Sequence, residues 1–248
     1  MKFIKALLFS FIFFIPSLHA QEIPLIVGIG GFYPPFVMRG ANNELFGFDI
    51  DMMTELCKIM QRTCRFEILR FQQLIPAVVD KQIDLAVSAM AITSERSRLV
   101  NFSIPYLLSY SRFLAYHDAS VHQPFSLQLL KGKRVGVEAN TVFSQQIRDM
   151  GIIDPVIVEF SRTEQMLEAL REKEVDFILM DNPSVLYWEA NSSGALQAIG
   201  PPFLYGYGLG IAVNKENPQL LEAVNRALLQ YQSSDLYRKN YNKYLMEL

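Results

Sequence analysis

Two charged residues stand in settings that suit a zwitterion. Arg96 follows Ile92-Thr93-Ser94-Glu95, and Asp181 closes the apolar run 175–180. A guanidinium presents a planar fork of N–H donors that matches a carboxylate in bidentate fashion. A carboxylate ending an apolar strand suits an ammonium group. On opposite walls of a cleft, such a pair would link one α-amino acid across it. A plainer role is open to both residues: Arg96 pairing with Glu95 or another surface acid, and Asp181 capping the helix that follows.

Patterns for catalysis or metal binding are scarce. His19, His117 and His122 have neither helical metal spacing nor cysteine partners, and the last two are expected on the surface. Gly28-x-Gly30 resembles the start of a dinucleotide fingerprint, but Tyr33 stands where a third glycine belongs and Pro34-Pro35 cannot continue a helix. The sequence contains no Gly-x-Ser-x-Gly elbow and no phosphate loop. No metal and no cofactor are expected.

The elements that must position Arg96 and Asp181 read as alternating strands and helices. Residues 25–29 form a short strand before the turn Gly30-Gly31-Phe32-Tyr33-Pro34-Pro35. Ile50, Met53, Leu56, Cys57 and Met60 recur at helical spacing behind Asp49, a candidate N-cap, and 65–69 reads as a strand. A second helix covers 74–79, with Pro76 in its first turn, and the strand 83–87 follows. The same phrase returns: Ser161 and Glu164 form a capping box, a helix follows, and Lys173-Glu174 precede the strand 175–180. Further elements are a strand at 134–137, a helix after Asn140 and a final helix over 219–231. A β-α unit used twice points to two α/β lobes, although one doubly wound domain fits the pattern as well.

The start of the chain speaks to its compartment. Lys2 and Lys5 precede the apolar run 6–15, and Leu18-His19-Ala20 ends in small-residue fashion, so 1–20 reads as a cleaved signal peptide leading to a periplasm. The run is shorter than the roughly 20 residues that span a bilayer. Without Lys2 and Lys5, 21 basic residues face 25 acidic ones, a balance that does not suggest nucleic acid as a partner. Cys57 and Cys64 are the two cysteines, and an oxidising compartment favours a structural disulfide over two free thiols.

In open α/β sheets ligands bind beyond the carboxyl ends of the strands. That rule selects Gly30 to Tyr33, Phe71, the stretch Ser88, Ala89, Ala91 and Arg96, then Glu138, Thr141 and Val142, and Asp181.

These segments resemble the periplasmic amino-acid-binding proteins of ABC importers, the group that binds lysine, arginine, ornithine and histidine. The matching phrases span nearly the whole mature chain: Tyr33-Pro34-Pro35-Phe36, Gly47-Phe48-Asp49-Ile50-Asp51, Ile92-Thr93-Ser94-Glu95-Arg96, Lys131-Gly132-Lys133-Arg134-Val135-Gly136-Val137 and Gly208-Leu209-Gly210-Ile211-Ala212-Val213. The resemblance implies a two-lobed type II binding-protein fold, each lobe a sheet flanked by helices. Lobe 1 would hold 21–108 and 206–248, lobe 2 would hold 109–205, and two crossings would join them. It implies that Tyr33 and Phe71 sandwich the ligand side chain, that Arg96 holds the α-carboxylate and that Asp181 holds the α-amino group. The pair Cys57 and Cys64 also looks like a disulfide of that group. The expected partners are an amino acid and an inner-membrane ABC permease, with the protein a monomer.

Three positions depart from the family pattern. Ala91 replaces a serine or threonine, Val142 replaces a threonine, and Gly30 stands where binders of basic amino acids often place an acid. Glu138, on the opposite lip, is the expected substitute for that acid, with arginine the first expected ligand. The competing expectation is a prephenate dehydratase-like enzyme on the same scaffold, with Glu138 its acid or base.

Overall fold

The computed structural model describes residues 23–117 and 124–246. The segment read as a signal peptide, and His122, lie outside the described residues. In chain order the elements are β1 (Leu25–Ile29), β2 (Met38–Arg39), β3 (Leu45–Phe46), α1 (Phe48–Ile59), β4 (Cys64–Ile68), α2 (Phe71–Val79), β5 (Leu85–Ala86) and β6 (Asn101–Phe102). Then come β7 (Tyr110–Tyr116), β8 (Arg134–Glu138), α3 (Phe143–Asp149), β9 (Val156–Phe160), α4 (Thr163–Arg171), β10 (Phe177–Asp181), α5 (Asn182–Asn191) and β11 (Leu196–Leu204). The chain ends with β12 (Ala212–Val213), α6 (Pro218–Gln232) and α7 (Asp235–Tyr241).

Two five-stranded mixed sheets result, ordered β4-β1-β5-β12-β6 and β11-β7-β10-β8-β9. In each, a central strand pairs in parallel with two others, β1 with β4 and β5, and β8 with β9 and β10. An antiparallel strand, β12 or β7, then closes on the third. The chain passes between the sheets twice, after β6 and after β11, and α6 and α7 pack on α1 of the first sheet. Among the described residues no helix is long and apolar enough to cross a membrane.

The repeated phrase of the sequence is a repeated piece of structure. α2 and α4 each end before a lysine in the left-handed region, Lys81 at φ 58° and Lys173 at φ 60°. Two residues on, Ile83 and Val175 are buried, and the aspartate after each ties its strand to the neighbour. Asp84 Oδ2 accepts the Ile26 N–H at 2.7 Å, and Asp176 Oδ2 accepts the Arg134 N–H at 2.8 Å. Each carboxylate satisfies a strand-end donor that the ladder leaves open. The doubly wound alternative is therefore set aside in favour of two sheets built on one local plan.

Three boundaries differ from the sequence reading. Asp49 is not the N-cap of α1: Gly47 holds that place at φ 129°, where a Cβ would lie 2.3 Å from the Phe36 carbonyl oxygen. Pro76 sits inside α2 rather than in its first turn, because the helix already starts at Phe71. Burial of Leu74, Ala77 and Val78 holds the helix together past the missing N–H. The Ser161 and Glu164 capping box does not form. Arg162 is the N-cap in extended conformation, with no side-chain cap bond because a guanidinium has no acceptor to offer, and Thr163 donates its hydroxyl to Glu138.

Cys57, near the end of α1, and Cys64, the first residue of β4, form a disulfide with Cα atoms 6.1 Å apart. Closing so short a loop removes about 2 to 3 kcal/mol of denatured-state entropy. Replacing both cysteines by serine is expected to lower the thermal midpoint by roughly 5 to 10 °C in calorimetry, at about 2 to 4 °C per kcal/mol for a chain of this size. His117 is exposed, as expected.

Candidate ligand-binding cleft

The carboxyl ends of the parallel strands in both sheets open on one cavity of about 590 Å³. Tyr33, Phe71, Ser88, Ala89, Ala91 and Arg96 line it from the first sheet. Glu138, Thr141, Val142 and Asp181 line it from the second. These residues and Gly30 to Phe32, all selected from the sequence, face a single space, because the loops that follow parallel strands gather at one end of a sheet.

Asp181 ends β10 at the cap position of α5, yet its side chain makes no capping bond. The carboxylate turns into the cleft instead. Its Oδ2 accepts the Tyr33 hydroxyl at 2.6 Å, and its Oδ1 accepts the Tyr205 hydroxyl. The Tyr33 oxygen in turn accepts the Asp181 N–H at 3.2 Å. Burial pushes the Asp181 carboxyl up to about 6, while the two hydroxyls and Arg96 pull it down. Burial and the neighbouring carboxylate hold both tyrosine hydroxyls well above their ordinary range, so they act as donors.

Arg96 directs its hydrogen bonds away from Glu95. Nη1 donates to the Ala91 carbonyl at 2.9 Å and Nη2 to the Asn140 carbonyl, on the other sheet's side, at 3.0 Å. The guanidinium carbon lies 5.2 Å from the centre of the Phe71 ring, in cation–π range. A guanidinium carries five N–H donors, so these two bonds leave donors for a carboxylate. The group is buried, which lowers its pKa without removing its charge at neutral pH.

Glu138 ends β8, and its Oε2 accepts the Thr163 hydroxyl at 3.2 Å. Burial, helped by the negative charges of Glu164 and Asp181, pushes the carboxyl up to about 7. Thr141 spends both its hydroxyl and its N–H on the Glu138 carbonyl, at 2.6 and 3.3 Å. That leaves the start of α3, at Val142, as the backbone feature this loop offers the cleft. At Gly30 a Cβ would come within 2.4 Å of the Ser88 hydroxyl oxygen, so an acid there would have to displace Ser88.

Of the site residues that were not foreseen, two fix its geometry. Tyr205, in the second crossing, lines the cavity and holds Asp181. Asp49, completely buried, accepts the Ala89 N–H at 2.7 Å and so anchors the Ser88–Ala91 loop, in which Ala89 adopts φ 42°. Burial pushes Asp49 to about 7. The phrase Gly47-Phe48-Asp49 carried the only signal for Asp49; the aromatic ending Leu204-Tyr205 carried a weak one for Tyr205. Phe32 and Trp188 also meet across the cleft, edge to face, with centroids 6.2 Å apart.

Residues 25–247 match the profile of the bacterial extracellular solute-binding proteins, family 3. The chain belongs to that family. It is 35% identical to the ABC transporter arginine-binding protein 1 of Escherichia coli (strain K12), over 95% of both chains. Among solved structures, an arginine 3rd transport system periplasmic binding protein from Legionella pneumophila superimposes with a TM-score of 0.84 and 31% identity, covering 90% of this chain and 100% of that one. An ancestral arginine-binding protein bound to arginine gives 0.81 at 31% identity, over 89% of this chain and 97% of that one. This family-3 chain therefore has the two-lobed binding-protein fold, and the relatives named here are binding proteins.

Proposed function

We propose that the protein captures a basic L-amino acid, arginine first, in the periplasm, and delivers it as a monomer to an inner-membrane ABC permease without chemical change. The observation that carries this reading is the opposition of Arg96 and Asp181 across one cavity, spaced by aromatic walls. Arg96 holds the α-carboxylate and Asp181 the α-ammonium. The side chain runs between Tyr33 and Phe71 toward Glu138, the acid that stands in for one absent at position 30, where a Cβ would have to displace the Ser88 hydroxyl. Residues 21–108 with 206–248 form one closing body and 109–205 the other, moving about the two crossings. Contacts on both bodies are complete only when the cleft shuts, so ligand shifts the equilibrium toward closure. The arginine-binding names of the relatives support the ligand.

Titration calorimetry of the mature chain against arginine, lysine, ornithine, histidine, glutamine and prephenate tests the reading. Arginine is expected to bind tightest, with no phenylpyruvate formed from prephenate. A protein that ignores every amino acid, or that turns prephenate over, overturns it.

The raised carboxyl of Glu138 gives this affinity a pH dependence. The guanidinium prefers the ionised carboxylate, so binding lowers the pKa from about 7, and affinity is full above that value and lost as pH falls through it. From pH 8 to pH 5.5 the Kd for arginine is expected to rise by up to about 30-fold from Glu138 alone, with a further contribution from Asp181 near pH 6. Glu138→Gln is expected to weaken binding at pH 8 and to flatten the profile between pH 8 and 6; an unchanged profile removes Glu138 from the ligand's cationic end.

A further inference from the structure

The least expected side chain in the cleft is the one that reaches it from the crossing. Tyr205 follows β11, where the chain leaves the second sheet for the first. Its backbone is fastened to the other crossing: its N–H donates to the Ser109 carbonyl at 3.1 Å, and the Ser109 hydroxyl donates to its carbonyl. The same Ser109 oxygen accepts the Gly208 N–H at 3.2 Å, so both crossings are bound around one serine. From that fixed point the Tyr205 side chain, 8% exposed, extends into the cavity. Its ring packs edge-on against Phe143, the first residue of α3, with centroids 5.4 Å apart, and its hydroxyl donates to Asp181 Oδ1.

We infer that Tyr205 is the positioning residue for the amino-group site, a hinge-anchored strut that sets the direction of the Asp181 carboxylate toward the ligand's ammonium. This rests on the amino-acid reading above. Two tyrosines touch Asp181, but from different places. Tyr33 comes from the turn after β1, on the opposing sheet, so parting the two sheets would break its bond to Asp181. Tyr205 sits where the chain crosses between the sheets, so its bond to Asp181 would persist through opening and closing. An incoming ammonium then meets a carboxylate already aimed, which reduces the ordering cost of binding. A buried carboxylate without such a donor would drift toward its neutral form, which cannot pair with an ammonium. The groups facing Asp181 are Tyr33, Tyr205, Arg96, Glu138 and, from the first sheet's side, the buried Asp49 with Tyr106; the two hydroxyls that bond it and Arg96 favour its charge, and Glu138 and Asp49, when ionised, oppose it.

Tyr205→Phe keeps the ring and its packing on Phe143 and removes only the donor. Two readings are taken on wild type and variant. The first, without ligand, follows the Asp181 carboxyl by carbon NMR in aspartate-labelled protein, with Asp181→Asn assigning the resonance. Its midpoint is expected to move to higher pH in the variant. The second is the Kd for arginine against pH. The variant is expected to bind about tenfold more weakly near neutrality, with the acid limb displaced upward in parallel. A thermal midpoint lowered without either change would mark Tyr205 as packing alone and overturn the inference, as would a shifted titration with an unchanged Kd. A wild type indifferent to arginine counts against the ligand reading instead, and the titration of Asp181 still decides the strut.

Discussion

Asp181→Ala is expected to weaken arginine binding by about a hundredfold in titration calorimetry. A charge-assisted hydrogen bond contributes about 1.5 to 3 kcal/mol, and the ammonium loses its single opposed carboxylate in the second lobe. The substitution also strands two donors, because Tyr33 and Tyr205 both point at this side chain. Asp181→Asn separates the effects. The amide oxygen can still accept a hydroxyl, so most of the stability returns, while the affinity stays low because the charge is gone. Equal affinities for wild type and Asp181→Asn would mean that the carboxylate holds tyrosines and not a ligand. Editing the ligand provides a second arm: an arginine analogue lacking the α-amino group should bind wild type and Asp181→Asn alike.

The second large effect is expected at Arg96. Arg96→Ala removes the carboxylate fork and also the bond from Nη2 to the Asn140 carbonyl, which reaches from one lobe to the other. Loss of about a hundredfold or more in affinity follows from two charge-assisted bonds to a buried carboxylate. Arg96→Lys keeps a charge but not a planar fork, and it also gives up the stacking over Phe71, so recovery should be partial. Agmatine, which lacks the carboxylate, should bind wild type and Arg96→Ala with similar, weak affinity. If agmatine instead binds wild type as tightly as arginine does, Arg96 is a structural tie across the cleft and nothing more.

Much of this architecture was legible because strands and helices announce themselves locally. The periodicity around Leu56 and the paired turns at Lys81 and Lys173 reveal two copies of one unit, and strand ends then nominate the site. What stayed hidden depends on contacts distant in sequence. Asp49 looks like a helix cap from its neighbours, and only the fold brings Ala89, forty residues on, against its carboxylate. The left-handed backbone of Ala89 leaves no mark in the sequence, since alanine carries no such preference. Tyr205 reads as one more aromatic near a turn until Asp181 and Ser109 are seen beside it. The false capping box shows the opposite failure: Ser161 and Glu164 satisfy a local rule, but the helix starts one residue later, with Arg162 at its cap and Thr163 bonded to Glu138.

The contact between Phe32 and Trp188 gives the molecule an optical gauge of its own motion. Trp188 is the only tryptophan in the chain, and its indole nitrogen is buried without a hydrogen-bond partner among the described residues. Phe32 belongs to the turn after β1 and Trp188 to α5, so parting the lobes pulls the phenyl ring off the indole and admits water. Emission at long wavelength therefore reports an open cleft, and emission at short wavelength a shut one. Closure can be timed by stopped flow in the unlabelled protein, with excitation at the red edge of the indole band so that the 11 tyrosines stay dark and the signal comes from one known position.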